Sequence, residues 1–249
     1  MNLLLLKARQ ICDQNVALDQ CQGLRYGQAN ITGRQFQHLL KTLKAEVGDT
    51  LNVGIENGMM GQARLIEIKP EQALIEFDCN EPPPSALPLK LILALPRPKM
   101  LRRTLQSCIS MGVKDIVLLN SWKVEKSYWQ TPWLSDQALY ENAVLGLEQA
   151  KDTVLPNIQL RKWFKPFVED ELKRFSQASR RILAHPGAIA SCPVNLEQAC
   201  TLMIGPEGGF TRYEAEKIQE QEFEVVNIGT RILRVETAVP ALISRIFPS

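Results

Sequence analysis

The chain has 249 residues, 45% of them hydrophobic and 22% charged, with a net charge of only +2. This is the composition of a globular protein with one large or two ordinary domains, and so small a net charge does not by itself imply a nucleic-acid partner. The six cysteines (Cys12, Cys21, Cys79, Cys108, Cys192 and Cys200) contain no Cys-x-x-Cys, and only His38 and His185 accompany them, which argues against a structural zinc site and suits a reducing cytosol.

Leu3 to Leu6 is an apolar run too short for a signal peptide or a membrane span, and it predicts a strand. Thr32 precedes a helical pattern with Phe36, Leu39, Leu40 and Leu43 at i, i+3, i+4 and i+7. Leu51, Val53 and Ile55 alternate strictly. Asn57-Gly58 follows as a hairpin turn into Met59 to Ile68. Lys69-Pro70-Glu71 turns the chain again before Ala73 to Phe77. This is a small β-rich module. Glu81-Pro82-Pro83-Pro84-Ser85 then reads as a linker, because three prolines in a row favour an extended polyproline conformation. The expected domains are therefore residues 1–80 and 81–249.

Beyond the linker, strand and helix signals alternate. Leu89 to Leu95 predicts a strand. A helix from about Lys99 to Met111 carries Leu101, Thr104, Leu105 and Cys108 on one face, with Gly112 as its C′ residue. Ile116 to Leu119 predicts a buried strand. Trp122 to Trp133 holds three tryptophans without periodicity and predicts a long loop that packs over a site or stacks nucleic-acid bases, packing being the plainer role. Ser135 caps a helix to about Ala150. Ile158 to Trp163 is a strand, Phe167 to about Gln177 a helix, and Ile182 to Ala184 a strand. Such alternation indicates a mostly parallel sheet covered on both faces. Three basic groups stand out: Arg97, Lys99, Arg102 and Arg103; Arg161, Lys162 and Lys165; Arg180 and Arg181. Each reads as a solvated face unless the fold gathers them on one surface.

The C-terminal stretch is the most informative. Leu202 to Ile204 is a short apolar strand ending at Gly205-Pro206-Glu207-Gly208-Gly209-Phe210. Its glycines permit positive φ and close approach to a ligand. Thr211 and Glu214 form a capping box, so a helix starts at Arg212. Phe223 to Ile228 returns as a strand, broken at Gly229. Ala238 to Ile246 predicts a final helix with Val239, Leu242, Ile243 and Ile246 on one face, and with Pro240 confined to its first turn. Two glycine-marked loops thus each follow a strand and precede a helix, the arrangement in which open α/β sheets bind ligands. There is no Gly-Lys-Ser/Thr phosphate loop and no Gly-x-Gly-x-x-Gly.

The pair Ile204-Gly205-Pro206-Glu207-Gly208-Gly209-Phe210 and Ile228-Gly229-Thr230-Arg231-Ile232-Leu233-Arg234-Val235-Glu236-Thr237-Ala238 closely resembles the RsmE-type ribosomal RNA uridine-N3 methyltransferases of the SPOUT superfamily. The resemblance is close over Ile204–Ala238 and looser over most of the chain. It implies an α/β fold in which a trefoil-knotted SPOUT domain with a parallel sheet follows a small PUA-like β-barrel. It also implies a cytoplasmic homodimer that needs no metal or membrane and methylates 16S ribosomal RNA from S-adenosylmethionine (SAM). By the same resemblance, SAM would be held by Ala184, His185, Ile204, Gly205, Glu207, Gly208, Gly209, Asn227, Ile228, Gly229, Ile232, Leu233, Glu236 and Thr237. Arg231, Arg234 and Glu207 are the candidate catalytic residues. Capping or loop-bracing is an equally good role for Glu207 and Glu236. Arg25, Arg34, His38 and Lys41 are the candidate RNA contacts in the first module, each of which would also suit ordinary surface. The face Val239, Leu242, Ile243 and Ile246 would pair two protomers or else pack on the chain's own sheet.

No nucleophile–base pair for covalent catalysis is recognisable. Methyl transfer to a uridine N3 needs alignment of the reactants and either a base or cations that stabilise the uridine anion. The chain departs from the family pattern at Ser110-Met111-Gly112, at Glu148-Gln149-Ala150-Lys151-Asp152 and at Met1-Asn2-Leu3-Leu4-Leu5-Leu6-Lys7. Asp152 stands where arginine is usual: if it faces RNA it would weaken binding and Asp152→Arg would tighten it, whereas on a solvated helix end far from RNA the substitution would change little. A second functional class follows from these departures: an RNA-binding protein of the same fold, with another RNA target or weak methylation.

Overall fold

The computed structural model describes residues 2–12 and 24–248. Met1 and Cys21, named above, lie outside the described residues. The chain forms two compact units, Met1–Ser85 with Val144–Leu155, and Ala86–Ala143 with Pro156–Ser249.

In the first unit five strands form one mixed sheet. They are β1 (Leu4–Leu6), β2 (Tyr26–Thr32), β3 (Thr50–Ile55), β4 (Met60–Ile68) and β5 (Gln72–Glu81), in the order β1-β3-β4-β5-β2. Only β1 and β3 run parallel. The chain just after β1 reaches the opposite edge strand through a bridge from Ile11 to Ala29, so the sheet curls toward a barrel. This is a PUA-like half-barrel. Period-two alternation explains its core: Ala63 and Leu65 of β4 and Ala73, Ile75, Phe77 and Cys79 of β5 point inward. Asn57-Gly58 makes the expected turn, with Asn57 at φ 56° and the Gly58 N–H donating to the Ile55 carbonyl at 2.7 Å. Helix α1 (Gly33–His38) continues as a π-helical turn, Leu39–Leu43, which carries Leu43 out of the predicted apolar face to 48% exposure.

Val144–Leu155 joins this unit through a buried carboxylate. Glu148 is 1% exposed. Its side chain accepts from Gln35 Nε2 at 2.9 Å and from Arg34 Nη2 at 2.7 Å, while its carbonyl accepts from the Asn2 and Leu3 N–H groups. Asp152 is also buried, at 3% exposure, and its Oδ1 accepts from the Val154 N–H at 3.0 Å. Of the two placements open for Asp152, facing RNA or on a solvated helix end, burial fits neither. An arginine there would place a guanidinium inside the unit, which is costly, rather than against phosphate.

The second unit is a seven-stranded, wholly parallel sheet. Its strands are β6 (Leu89–Ala94), β7 (Asp115–Leu119), β8 (Asn157–Arg161), β9 (Arg180–Ala184), β10 (Ala190–Ser191), β11 (Cys200–Ile204) and β12 (Glu224–Asn227), in the order β10-β12-β9-β11-β6-β7-β8. The two-residue β10 carries no sequence signal. The helices of this unit are α2 (Pro98–Ser110), α4 (Phe164–Pro166) running through a π-turn into α5 (Leu172–Phe175), α6 (Arg212–Gln219) and α7 (Val235–Ile246), while α3 (Asp136–Ala150) is divided, its residues from Val144 on belonging to the first unit. Among the described residues no helix is long and apolar enough to cross a membrane. Gly112 ends α2 with φ 88°, as its C′ position requires.

Helix α7 begins three residues before the predicted start, so Pro240 lies inside it. Arg234 is its N-cap residue, and the Arg234 carbonyl accepts from the Thr237 and Ala238 N–H groups. Val239, Leu242, Ile243 and Ile246 are at most 2% exposed, and α7 packs on α2. The apolar face is thus buried in the chain's own core and is not available to a partner.

Removing the Glu148 carboxylate leaves one buried N–H of the Gln35 amide without an acceptor, while the other still donates to the Leu5 carbonyl at 2.9 Å. Glu148→Ala should lower stability by about 2 kcal/mol or more in urea unfolding, short of the roughly 3–5 of a fully buried pair because Arg34 is half exposed and can turn to water.

Candidate active site

Three neighbouring strands end level. The register pairs Ile204 of β11 with Ala184 of β9, and Ala184 with Val226 of β12. Three loops therefore leave the sheet side by side, and the cavity among them is lined by 184–186, 204–207, 209–210, 226–229 and 231–233, with Val235, Ala238 and Leu242 of α7. It lies beyond the carboxyl ends of the strands, where parallel sheets bind ligands.

The first loop is shaped by its glycines and braced from outside. A Cβ on Gly205 would stand 3.1 Å from both the backbone nitrogen and the ring of Phe210, so the loop closes this tightly only with glycine there. Gly209 has φ 68°. Lys123 Nζ donates to the Gly208 carbonyl at 2.7 Å, and Phe164 packs on Phe210 with ring centroids 6.1 Å apart. The capping box forms as expected: the Thr211 hydroxyl accepts from the Glu214 N–H, and Glu214 Oε2 accepts from the Thr211 N–H at 2.8 Å. Glu214 also accepts from the Trp122 N–H at 2.7 Å, a contact without local sequence signal.

The second loop is held by Asn227. Its amide donates to the Ala188 carbonyl, and its own carbonyl accepts from the Cys192 N–H, each at 2.7 Å. Gly229 sits at φ 149°, a conformation other residues rarely adopt.

Of the sequence-predicted residues, Ala184, His185, Ile204, Gly205, Glu207, Gly209, Asn227, Ile228, Gly229, Arg231, Ile232 and Leu233 line this cavity. Gly208 does not, since a Cβ there would meet the Lys123 side chain at 3.0 Å. Arg234 and Glu236 line an adjoining cleft with Arg97, Lys99, Glu125 and Tyr128, and Glu207 borders both spaces. Thr237, exposed in the first turn of α7, lines neither. Sequence reasoning passed over Phe210, Val235, Ala238 and Leu242, because ordinary core periodicity gives no sign that a helix flank also walls a cavity.

Glu207 accepts from the Arg97 N–H at 3.3 Å, and its carboxylate lies 3.8 Å from the Arg97 guanidinium. Arg97 is the N-cap residue of α2, whose first turn has no acid of its own. Glu207 therefore supplies negative charge at that helix start, where the dipole favours it. Burial pushes the Cys79, Cys108 and Cys200 thiols up to about 12, so none is poised as a nucleophile.

The candidate RNA contacts belong to the first unit. Arg34 is engaged by Glu148. Arg25 and Lys41 are exposed. His38 is half-buried, burial lowers its pKa, and its Nε2 is buried without a partner. Of the basic groups, Arg161, Arg180 and Arg181 pair with Glu171, Glu224 and Glu222, and Arg102 stacks 4.4 Å over the Trp133 ring. Among the described residues no cluster of His, Cys, Asp and Glu is arranged to hold a metal ion.

Comparison with known proteins agrees with this geometry. The ribosomal RNA small subunit methyltransferase E of Treponema pallidum is 29% identical over 234 residues, covering 91% of this chain and 88% of the relative. A Borreliella burgdorferi protein, ribosomal RNA small subunit methyltransferase E 1, is 27% identical, covering 82% and 86%. Among solved structures, a ribosomal RNA small subunit methyltransferase E from Neisseria gonorrhoeae bound to S-adenosyl methionine superposes with a TM-score of 0.71 at 18% identity, covering 98% of this chain and 95% of that one. A methyltransferase from Legionella pneumophila in complex with SAM gives 0.69 at 19% identity, covering 98% and 95%. At these identities the structures establish a shared fold. Residues 83–247 match the RNA methyltransferase domain, and the chain belongs to that family.

Proposed function

We propose that this chain transfers a methyl group from SAM to N3 of a uridine in small-subunit ribosomal RNA. The observation that carries the reading is the cavity over the level ends of β9, β11 and β12, built from the two glycine loops and adjoining a charged cleft. Its walls fit the cofactor. Ile204, Ile228, Leu233 and Leu242 give apolar sides suited to an adenine ring, and the loop backbones supply polar groups at its rim. Bound there, SAM would supply an electrophilic methyl group on a sulfonium.

The chain's own residues then have distinct tasks. Among the described residues neither Arg231 nor Arg234 is held in a salt bridge, and they border the cavity and the cleft respectively. We assign them to the uridine, where a guanidinium stabilises the negative charge that appears when N3 loses its proton. Glu207 braces the glycine loop against the start of α2 through Arg97. Arg25 and Lys41 remain candidates for RNA contact on the first unit. The buried Asp152 gives no support to a different RNA target.

Two further features belong to the proposal. The segment after β9 passes outside the later C-terminal chain: β10 pairs with the outer side of β12, and the Asn195 and Leu196 N–H groups donate to the Arg245 and Ile246 carbonyls. That crossing supports a knot in which the C-terminal chain threads the 185–199 loop. Ile232 at the cavity is 83% exposed and Ile189 is fully exposed, which supports a homodimer that covers these side chains.

Ala238 offers a direct test of the cavity, since a tryptophan there keeps the helix and fills the space. Calorimetry should show SAM binding to the unaltered protein and none to Ala238→Trp, and equal affinities would refute the cofactor assignment. Small-subunit ribosomal RNA from a strain lacking the protein should lose one 3-methyluridine in nucleoside analysis; unchanged content would overturn the substrate. Light scattering should give twice the chain mass, and a monomer mass would dismiss the homodimer.

A further inference from the structure

Two indoles stand in water where the fold holds their backbones still. Trp122 is 84% exposed and Trp163 is 74% exposed. They follow the ends of adjacent parallel strands, β7 and β8, whose register pairs Leu119 with Arg161 and continues with the Asn120 N–H donating to the Arg161 carbonyl at 2.8 Å. Both are braced on one turn, Phe210 to Glu214. The Trp122 N–H donates to Glu214 at 2.7 Å, and Phe164, next after Trp163, packs on Phe210 at 6.1 Å. The other two tryptophans differ: Trp129 Nε1 donates to Asn120 Oδ1 at 2.8 Å, and Trp133 lies under Arg102. Within the chain, contacts thus engage Trp129 and one face of Trp133, whereas Trp122 is left exposed.

Cations flank both exposed rings. Lys162 and Lys165 bracket Trp163, and Lys123 follows Trp122, all exposed, though the Lys123 ammonium also donates to the Gly208 carbonyl at 2.7 Å. Arg212, at the start of α6, is exposed as well, though it pairs with Glu216 at 2.7 Å, and Lys165 lies 3.9 Å from Glu169. Flat π faces beside lysines suit unpaired nucleotides, because any base can stack on an indole while a lysine meets its phosphate. They suit a protein partner poorly, since the centre of a protein interface is depleted of lysine.

We infer that Trp122 and Trp163 form a stacking surface for unpaired nucleotides of the RNA substrate, beside the glycine loop on its β7–β8 side. The inference rests on the RNA reading above. It adds a contact region outside both the cavity and the adjoining cleft.

The test uses the full chain and a fluorescently labelled single-stranded fragment of small-subunit ribosomal RNA, with binding followed by anisotropy across a salt series. Trp122→Ala and Trp163→Ala should each weaken RNA binding by about 5- to 100-fold, with SAM affinity by calorimetry unchanged. Phenylalanine at either position should retain most of the affinity, and leucine, apolar but without a π face, should not. Lys162→Gln should reduce the salt slope by roughly one, whereas the tryptophan variants should leave it unchanged. If the double alanine variant binds RNA like the unaltered chain, or loses RNA only together with a fall in mass by light scattering, the stacking surface is refuted while the methyltransferase reading stands. If the unaltered chain neither binds nor methylates ribosomal RNA, both fail together.

Discussion

The site depends on one constraint: β9, β11 and β12 are parallel neighbours whose ends lie at the same height. Parallel pairing makes all three chains leave the sheet in one direction, and matched register makes them leave side by side. A strand slipped by one residue would invert its side chains and move its loop out of the cavity. The glycines matter only within that frame. Gly205 allows Phe210 to close on the loop, and Gly229 takes a backbone angle other residues avoid.

The loops are then fastened by carboxylates that accept backbone N–H groups. Glu214 joins the start of α6 to the chain after β7, and Glu207 joins the glycine loop to the start of α2. Each helix start carries N–H groups without partners in the helix, so a carboxylate there satisfies a donor and complements the dipole. Glu148 fastens the first unit by other contacts: its carboxylate accepts from the Arg34 and Gln35 side chains, and its main-chain carbonyl accepts from the Asn2 and Leu3 N–H groups. Glu207, an acid that stands beside the cavity, thus also has a bracing contact, and Arg231 and Arg234 border the cavity and the cleft.

This division suits methyl transfer. Alignment of two reactants supplies much of the rate, so a rigid pocket matters more than a potent nucleophile. Burial pushes the Cys79, Cys108 and Cys200 thiols up to about 12, so these three are not poised as nucleophiles.

What the sequence determined by itself was whatever depends on neighbours in the chain. The alternation of Leu51, Val53 and Ile55, the Asn57-Gly58 turn, the Thr211–Glu214 capping box and the two glycine loops were all legible, because turns, caps and periodicity are local. Tertiary structure decided the rest. Asp152 reads as a surface position, facing RNA or on a solvated helix end, yet packing buries it. The start of α7 moved to Val235, placing Pro240 inside the helix, because burial against α2 outweighs a local breaker. Gly208 turned toward Lys123, and Ala238 and Leu242 turned toward the cavity. Which side of a loop or helix meets empty space is set by residues distant in the chain, and only the folded arrangement contains that information.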